Sequence, residues 1–443
     1  MTIVGAGLAG CEAAFQLGRR GIRVTLIEMR PQRSTGAHRT GNAAEIVCSN
    51  SFKSILPDTS SGVLKLELEL LACCLLQFAK DARVDAGHAL AVDRELFSAA
   101  ITSSIAQHAN IELVRRCQTD LDVALPAIIA TGPLTAAEMA KTLQRRFSDE
   151  HLYFYDAIAP SIDADTIDSS VVFKASRYDK GTPDYYNIPL TKEEYLGMLE
   201  RIRRADITNP HRVEHTKFFE ACLPIEIMGQ RGEDTLRYGP LKPKGLIDPA
   251  TGKEPYAVIQ LRNESRQGRL LGLVGFQTRM KQPEQKALIQ SLPGLKEAKI
   301  LRYGSIHRNM FINIPRVCTP YQNDRDEKKL FYAGQICGVE GYMECVTSGL
   351  VSALSIVASY EERPLPLFPD VSMTGALMNY IHTANRNFQP MNANMGILPA
   401  ITGFTRKRRE RNQALSTRAV DAMREYRRAN SWLFTDERAA QGA

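Results

Sequence analysis

The apolar and polar positions of the first thirty residues predict a strand, a helix and a second strand. Met1–Val4 is a short apolar stretch that enters a glycine-rich turn, Gly5–Gly10, and a helix is expected to leave that turn. The second strand is predicted at Arg23–Ile27 and ends at Glu28. A glycine turn between a strand and a helix is the arrangement that binds the pyrophosphate of a dinucleotide.

A second apolar pattern, at residues 64–84, fits two kinds of element. Leucines at every second position from Leu64 to Leu70 alternate with charged residues, as in a half-buried strand. A stripe at helical spacing runs through the same segment and comprises Leu64, Leu68, Leu71, Leu75 and Phe78. The length of the segment favours a helix.

A late apolar stretch predicts that the nucleotide-binding domain is completed after an insertion. Leu330–Ala333 leads into Gly334, and a long helix is expected from about Glu344. The middle of the chain is richer in tyrosine, proline and charged residues and contains strand-like pieces such as Tyr256–Leu261. We therefore predict a split nucleotide-binding domain at residues 1–155 and 316–443, around an inserted α+β substrate domain at residues 156–315.

The C-terminal part predicts an amphipathic, strongly basic helix. Its apolar stripe comprises Leu415, Ala419, Met423 and Tyr426. Few acidic residues offset the positive charge near its start, so contact with phosphate groups becomes a candidate role beside that of a solvated face. The candidate nucleic-acid residues are Arg406, Lys407, Arg408, Arg409 and Arg411.

Composition narrows the class of protein without naming a function. The chain has 443 residues, 44% of them hydrophobic and 24% charged, which is typical of a globular protein with an ample core. No apolar run approaches the ~20 residues that span a membrane, and no signal-type leader is visible, so a cytoplasmic location without membrane association is expected. The net charge of +7 is compatible with a nucleic-acid partner.

The nine cysteines predict free thiols in a reducing compartment, since their number is odd and no leader precedes them. No C-x-x-C pair occurs and the histidines are scattered, so no metal site is expected. Cys48 follows a short apolar stretch and precedes small polar residues that suit a turn or a helix start, where a thiol becomes more acidic. Cys222 has apolar neighbours on both sides and is flanked by two acids and a proline.

The glycines and Glu28 together predict how a dinucleotide is held. The first glycine allows the tight turn, the second lets the backbone approach the pyrophosphate, and the third lets helix and strand pack closely. Glu28 is placed to accept a hydrogen bond from a ribose hydroxyl. The fold class that follows is α/β, with a Rossmann-like dinucleotide-binding domain.

Several strings of the sequence resemble the folate- and flavin-dependent tRNA (uracil-5-)-methyltransferases over nearly the whole length. The most specific strings are Glu28–Pro31 and Val47–Ser51, whereas the glycine turn is common to many flavoproteins. Further matching strings lie at Phe218–Pro224, Leu241–Leu246 and Gly338–Tyr342. The resemblance implies a glutathione-reductase-type flavoprotein fold.

The resemblance also implies the cofactors and the residues that hold them. FAD is expected on Gly5, Ala6, Gly7, Leu8, Ala9, Gly10 and Glu28, with Gly334, Gly338 and Gly341 close to the flavin. Cys48 and Cys222 match the two cysteines implicated in catalysis in that family. Methylenetetrahydrofolate is the implied one-carbon donor, NADPH or NADH the reductant, and a uridine of the tRNA T-loop the acceptor.

The implied chemistry gives the two thiols distinct tasks. Addition of a thiolate at C6 of uracil makes C5 nucleophilic enough to attack an electrophilic carbon. Cys48 is a candidate for this nucleophile or for a group that stabilises a flavin adduct, and Cys222 for the group that deprotonates C5 or attacks; the sequence does not separate these assignments. It also leaves the oligomeric state open, with a monomer expected.

Three other functions share parts of this pattern. The same chemistry on a ribosomal RNA uridine would use similar catalytic strings. The larger flavoproteins that modify the tRNA wobble uridine share the FAD domain, but this chain lacks the length for their extra helical domain. A flavin-bound RNA-binding protein or folding factor without turnover would not need both cysteines.

Overall fold

The structure is a computed structural model that describes residues 1–147, 152–208, 223–384, 388–401 and 407–434, with the backbone alone described at 152–156 and 307–308. Its strands are β1 Thr2–Val4, β2 Val24–Glu28, β3 Ser51–Ser54, β4 Arg83–Val84, β5 Ala89–Val92, β6 Ile111–Arg115, β7 Ala127–Ile129, β8 Leu152–Ile158, β9 Ser161–Asp163, β10 Phe173–Ala175, β11 Tyr185–Leu190, β12 Ala257–Asn263, β13 Leu270–Leu273, β14 Ile300–Arg302, β15 Ser305–Phe311 and β16 Leu330–Tyr332.

The helices alternate with these strands in the first third of the chain and close the molecule at its C-terminal end. They are α1 Leu8–Gly18, α2 Ser60–Leu70, α3 Cys74–Asp81, α4 Arg94–Gln107, α5 Ala137–Phe147, α6 Lys192–Arg204, α7 Ile225–Arg231, α8 Thr235–Tyr238, α9 Gln282–Gln290, α10 Ile314–Val317, α11 Tyr342–Tyr360, α12 Met373–His382 and α13 Arg408–Ala429.

A five-stranded parallel sheet with the order β16-β7-β1-β2-β6 forms the nucleotide-binding part of the molecule. The late strand β16 pairs with β7, so segments more than 190 residues apart in the sequence build one sheet. Residues in register across the sheet, such as Ile3, Leu26 and Ile128, share one core with α1 and α11. Their neighbours Val4, Ile27 and Ile129 belong to the core on the opposite face, because successive side chains of a strand alternate in direction.

A six-stranded antiparallel sheet with the order β10-β11-β12-β13-β9-β14 carries the second unit. On β12, Ala257, Ile259 and Leu261 are buried in a separate core with α6 and α9. The alternate residues Gln260 and Arg262 point to the other face of the sheet, towards the first unit. The two-stranded ribbon of β8 and β15 joins the units. The proposed boundaries at residues 155/156 and 315/316 stay predictions.

The segment predicted as one helix at residues 64–84 is helical, but it is divided into α2 and α3. Ala72 adopts a φ of 55° between them. Side chains of α1 impose this break, because Gln16 and Arg19 donate to the Ala72 carbonyl at 3.0 and 2.9 Å. The buried carboxylate of Glu12 accepts from the backbone N–H of Leu75 at 2.9 Å and so caps the start of α3.

Helix α11 forms the centre of the first core. Gly349 allows its close approach to α1, since a Cβ at that position would lie 2.2 Å from the carbonyl oxygen of Ala9. With a mean hydropathy of 1.3, α11 is long and apolar enough to cross a membrane, so the expectation that no apolar stretch reaches that length is wrong. The same stretch is 89% buried within the protein, as is usual for a central core helix. No other helix of the described segments meets that criterion.

Candidate active site

The glycine turn between β1 and α1 opens one end of a cleft. Gly5 has a φ of 104°, and a Cβ there would lie 2.4 Å from the carbonyl oxygen of Ala130 on the neighbouring strand. Gly10 faces the carbonyl oxygen of Gly5 at 1.9 Å from the Cβ position, so helix and turn are in contact. Gly7 differs, because no atom lies within 4 Å of its Cβ position. The helix N-terminus at Gly7 therefore faces open space, as an anion site requires.

Glu28 lies at the end of β2, on the wall of the same cleft, and is 5% exposed. Its carboxylate accepts from the Ala6 N–H at 2.9 Å and from the Arg30 guanidinium at 2.8 Å. Burial alone would raise the pKa of Glu28, but Arg30 holds that pKa below its usual value. Arg30 in turn reaches Glu45 at 2.9 Å. The Arg30 backbone N–H donates as well, at 3.0 Å, so the carboxylate is charged and fixed, and about one of its four lone-pair positions is left for a hydroxyl donor.

The predicted cofactor residues fall into two groups. Those that line the cleft are Gly5, Gly7, Leu8, Ala9, Glu28 and Gly334. The others, Ala6, Gly10, Gly338 and Gly341, do not line it. Ala6 orients Glu28 through its N–H, and Gly338, with a φ of 77°, lies against the ring of Phe388. The residues of the second group therefore support the cleft walls without facing the cleft.

Cys48 lies in a loop beside the cleft, between Val47, which lines the cleft, and Ser49. Its thiol is partly exposed and lies 3.9 Å from the Ala157 carbonyl oxygen. The apolar stretch before Cys48 does not form a strand, and of the turn or helix start expected after it no helix forms: bends lie at Cys48 and Asn50, and the next element is β3. A helix N-terminus consequently gives no account of how this thiol is activated.

Tyr342, at the start of α11, fixes the Cys48 loop from the side of the cleft. Its phenol oxygen accepts from the N–H groups of Cys48 and Ser49 at 3.1 and 3.0 Å and donates to the Ser49 carbonyl at 2.8 Å. Burial raises the pKa of Tyr342, so the phenol stays protonated and can serve as this donor. Two tight-turn glycines, Gly338 and Gly341, carry the chain into this position.

Arg262 of β12 fixes the same loop from the side of the second unit. Its guanidinium donates to the Ser49 hydroxyl at 3.0 Å and to the buried Asn50 side-chain oxygen at 2.9 Å. Arg302 of β14 donates to the Val47 carbonyl. The thiol is therefore held where the cleft meets the second unit, by side chains from both.

Of the other cysteines near the cleft, three are packed residues and one, Cys117, is partly exposed. Cys11, Cys337 and Cys345 are buried, and burial raises the pKa of each thiol well above its usual value. Cys117 lines the cleft, with its sulfur 3.6 Å from an Arg33 nitrogen. Cys222 lies outside the described residues. No cluster of three potential metal ligands occurs among the residues that the structure does describe.

The basic helix forms as predicted and packs its apolar stripe. Leu415, Ala419, Met423 and Tyr426 are buried against the first core. Of the candidate nucleic-acid residues, Arg406 lies outside the described residues. Lys407 pairs with Glu410 at 3.0 Å, and Arg409 lies 3.8 Å from Asp58.

The remaining two candidates on this helix, Arg408 and Arg411, are exposed. Within the described part of the chain, neither of them makes an ion pair. Among the four candidates that the structure describes, the positive charge not offset by an ion pair therefore lies on these two arginines.

The residues that hold the Cys48 loop could not be identified from sequence patterns. Tyr342 stands in the Gly338–Tyr342 string, so its position was visible but its role was not. Arg262 carries no local signal, because its partners lie more than 210 residues away. His38 also lines the cleft, with its ring 2.7 Å from the Thr35 hydroxyl, and no pattern indicated this.

Comparison with known proteins shows which family the chain resembles. Residues 1–364 match the family model described as glucose inhibited division protein A. The chain is 44% identical over 427 residues to the methylenetetrahydrofolate–tRNA-(uracil-5-)-methyltransferase TrmFO of Syntrophomonas wolfei, which covers 96% of this chain and 98% of that protein. It is 46% identical over 423 residues to the protein of the same name from Desulforudis audaxviator, with 95% and 96% coverage.

A solved structure supports the fold class independently. GidA of Aquifex aeolicus superposes with a TM-score of 0.68 at 16% identity, covering 99% of this chain and 74% of that one. At that identity the likeness concerns the fold alone, and it confirms the predicted α/β, Rossmann-type flavoprotein architecture.

Proposed function

This chain belongs to the glucose inhibited division protein A family and to its branch of methylenetetrahydrofolate–tRNA-(uracil-5-)-methyltransferases, and from this premise we propose that it forms 5-methyluridine in the T-loop of tRNA. The methylene of 5,10-methylenetetrahydrofolate is the source of the new carbon, FAD is the cofactor, and NADPH or NADH is the reductant. The single observation that carries the proposal is the loop that bears the Cys48 thiol, which Tyr342 and Arg262 hold where a dinucleotide cleft meets the second unit.

The cleft fits a dinucleotide such as FAD by its own chemistry. The open space at Gly7 takes a phosphate against the start of α1, where N–H groups are free. Glu28 presents a fixed, charged carboxylate to a ribose hydroxyl. When bound, FAD supplies the redox and one-carbon chemistry that amino-acid side chains lack.

The protein itself must make C5 of uracil reactive, and we assign this task to Cys48 and Cys222. In the thiolate form, one sulfur adds to C6 and the electron pair moves onto the C4 carbonyl, which makes C5 a carbon nucleophile. After C5 has gained the new carbon, its proton must leave to a base and the C6–S bond must break. The second cysteine is the candidate for that base.

A mechanism-based trap shows which of the two cysteines forms the bond to C6 of uracil. A tRNA transcript carrying 5-fluorouridine has no C5 proton to lose, so the C6–S bond persists once C5 has reacted. The cross-linked peptide, identified by mass spectrometry, is expected to contain Cys48 or Cys222. If neither peptide is cross-linked and Cys48→Ala retains full methylation, the proposed role of the thiol is contradicted.

We also propose that α13 contacts the RNA backbone through Arg408 and Arg411. Each lost phosphate contact lowers the salt dependence of binding by about one unit of slope. The double variant Arg408→Gln/Arg411→Gln is therefore expected to bind an unmodified tRNA transcript more weakly, with a slope flatter by about two. The matched control is Arg424→Gln/Arg428→Gln on the same helix, since those arginines pair with Asp421 and Glu425 at 2.6 and 3.2 Å. An equal loss in both double variants would count against this surface.

The RNA substrate separates this function from its alternatives. Methylation is expected with unmodified tRNA and not with ribosomal RNA, each analysed for 5-methyluridine after digestion. Product in ribosomal RNA alone would favour the same chemistry on another RNA, and tight RNA binding without product would favour a folding factor. We further propose that the enzyme acts in the cytoplasm, as a monomer, where its tRNA substrate is found.

A further inference from the structure

An exposed aromatic ring lies on the second unit, in a turn between β10 and β11. Tyr178 is 58% exposed, and both it and Asp179 have a positive φ, of 57° and 51°. Bulky residues rarely adopt this conformation, and it persists where surrounding structure enforces it. Here the Tyr178 N–H donates to the Gly245 carbonyl at 2.7 Å.

Gly245 supports the ring from beneath. A Cβ at Gly245 would lie 2.8 Å from the Tyr178 ring, so the ring rests directly on the glycine backbone. One face of the ring is therefore occupied by the protein and the rest of the side chain faces solvent. We call Tyr178 on Gly245 the Tyr178 platform.

The Tyr178 platform is connected through β12 to the loop that carries Cys48. Arg177, the residue before the platform tyrosine, donates to the Lys244 carbonyl at 2.8 Å and to the Gln260 side chain at 3.1 Å. Gln260 lies two residues before Arg262 on the same face of β12, a separation of about 7 Å along a strand. Arg262 is the residue that holds Ser49 and Asn50 beside the thiol.

The surroundings of the platform are basic. Lys180, Lys242 and Lys244 are exposed around it, and the Lys244 ammonium is 3.9 Å from Glu254. The turn itself carries two acids, Asp179 and Asp184, and Asp184 accepts from the Gly87 N–H at 2.6 Å. Positive charge beside an exposed ring is the combination that binds single-stranded nucleic acid, since phosphates meet the cations and bases stack on the ring.

We propose that the Tyr178 platform stacks a nucleobase next to the target uridine and so positions the RNA over the Cys48 loop. This inference rests on the proposed function for the identity of the RNA. A uridine that reacts with a buried cofactor must leave its stack, and its neighbours then lack a stacking partner. The platform is an exposed ring of the second unit that can supply this partner, and Arg177, Gln260 and Arg262 connect it to the Cys48 loop.

The test compares the binding of an unmodified tRNA transcript to the FAD-loaded full chain and its variants over a range of salt concentrations. Tyr178→Ala is expected to raise Kd about 5- to 100-fold, the effect of one lost base–aromatic stack, with an unchanged salt slope. Tyr178→Phe keeps the ring and is expected to bind like the wild type. Lys244→Gln is expected to flatten the slope by about one.

Tyr360→Ala is the matched control, because Tyr360 is also exposed, at 54%. It lies at the far end of α11 from Tyr342, about 27 Å away along the helix. Its binding is expected to equal that of the wild type. If Tyr178→Ala loses FAD or lowers the melting temperature, Tyr178→Leu, which covers Gly245 without a π-face, takes its place.

The outcomes separate the platform from the proposed function. Unchanged Kd in Tyr178→Ala, or an equal loss in Tyr178→Phe, overturns the stacking role. A rise in KM for tRNA that matches the rise in Kd, with kcat for bound RNA altered less, supports it. If the wild-type chain binds RNA with this pattern yet forms no 5-methyluridine, the proposed function fails while the platform stands.

Discussion

Replacement of Tyr342 by phenylalanine removes one oxygen atom and, with it, three hydrogen bonds to the Cys48 loop. The ring itself should stay in place, because it packs on Phe52 at a centroid distance of 5.2 Å. The loss concerns the N–H groups of Cys48 and Ser49 and the carbonyl of Ser49. The variant therefore tests the positioning of the thiol without emptying the site.

The expected size of the loss in activity follows from the two N–H groups that lose their hydrogen-bond acceptor. A buried donor without a partner costs about 1–3 kcal/mol, and water can reach part of this loop, so about 1 kcal/mol for each N–H is the appropriate value. A total of about 2 kcal/mol changes the ratio of ordered to displaced loop about 30-fold. We expect kcat for tRNA methylation to fall about 10- to 30-fold in Tyr342→Phe, with FAD still bound.

Two assays measure the loss of activity and the loosening of the loop. Nucleoside analysis of tRNA gives kcat, and alkylation by iodoacetamide, followed at the Cys48 peptide, should become faster as the loop loosens. The control is Tyr380→Phe, whose hydroxyl donates, among the described residues, to the Gln389 carbonyl at 3.2 Å. A Tyr342→Phe variant with kcat within twofold of the wild type, and unchanged alkylation, would refute the positioning role of Tyr342.

The remaining predictions concern the cofactor cleft and the pH dependence of stability. Gly7→Ala should lower the flavin content of the purified protein, because the added methyl group enters space that only the ligand fills. The control Gly197→Ala, which is also unobstructed, should leave the flavin content unchanged and raise the melting temperature slightly, because Gly197 lies inside α6, where alanine is favoured over glycine by about 1 kcal/mol. A flavin-loaded Gly7→Ala would contradict this account of the turn. Burial lowers the pKa of His382 to about 4, whereas the unfolded chain titrates near 6.5, so the unfolded state binds more protons between these values. The free energy of unfolding should therefore fall as the pH drops from 6.5 to 4, by on the order of 2 kcal/mol from this residue. Urea titrations at several pH values check this, and His382→Asn should show a smaller dependence; an equal dependence would contradict the assignment.

The parts of the fold that depend on contiguous residues could be predicted from the sequence. The strand–turn–helix–strand unit around Gly5–Gly10 depends on neighbouring residues. Its glycines are required by the backbone conformation and close contacts of the turn itself. Helix α13 was visible in its stripe for the same reason. The segment at residues 64–84 shows where local pattern fails, because Gln16 and Glu12 of another helix divide it at Ala72.

The active site could be predicted only in part. Cys48 stood out by its sequence string, but no strand precedes it and no helix begins after it. Its loop is set by Tyr342, about 290 residues later, and by Arg262, about 210 residues later. Hydrogen bonds over such separations leave no periodic trace in the sequence. The assignments of Cys222 and Arg406 remain predictions, as both lie outside the described residues.

The central claim is that a folate methylene, and no other carbon source, becomes the methyl group of a tRNA uridine. The most direct measurement supplies the FAD-loaded chain with NADPH, an unmodified tRNA transcript and methylenetetrahydrofolate carrying ¹³C in its methylene. Mass spectrometry of the nucleosides should then show 5-methyluridine that is heavier by one mass unit and absent in Cys48→Ala. Unlabelled 5-methyluridine, or none from the wild-type chain, would contradict the account.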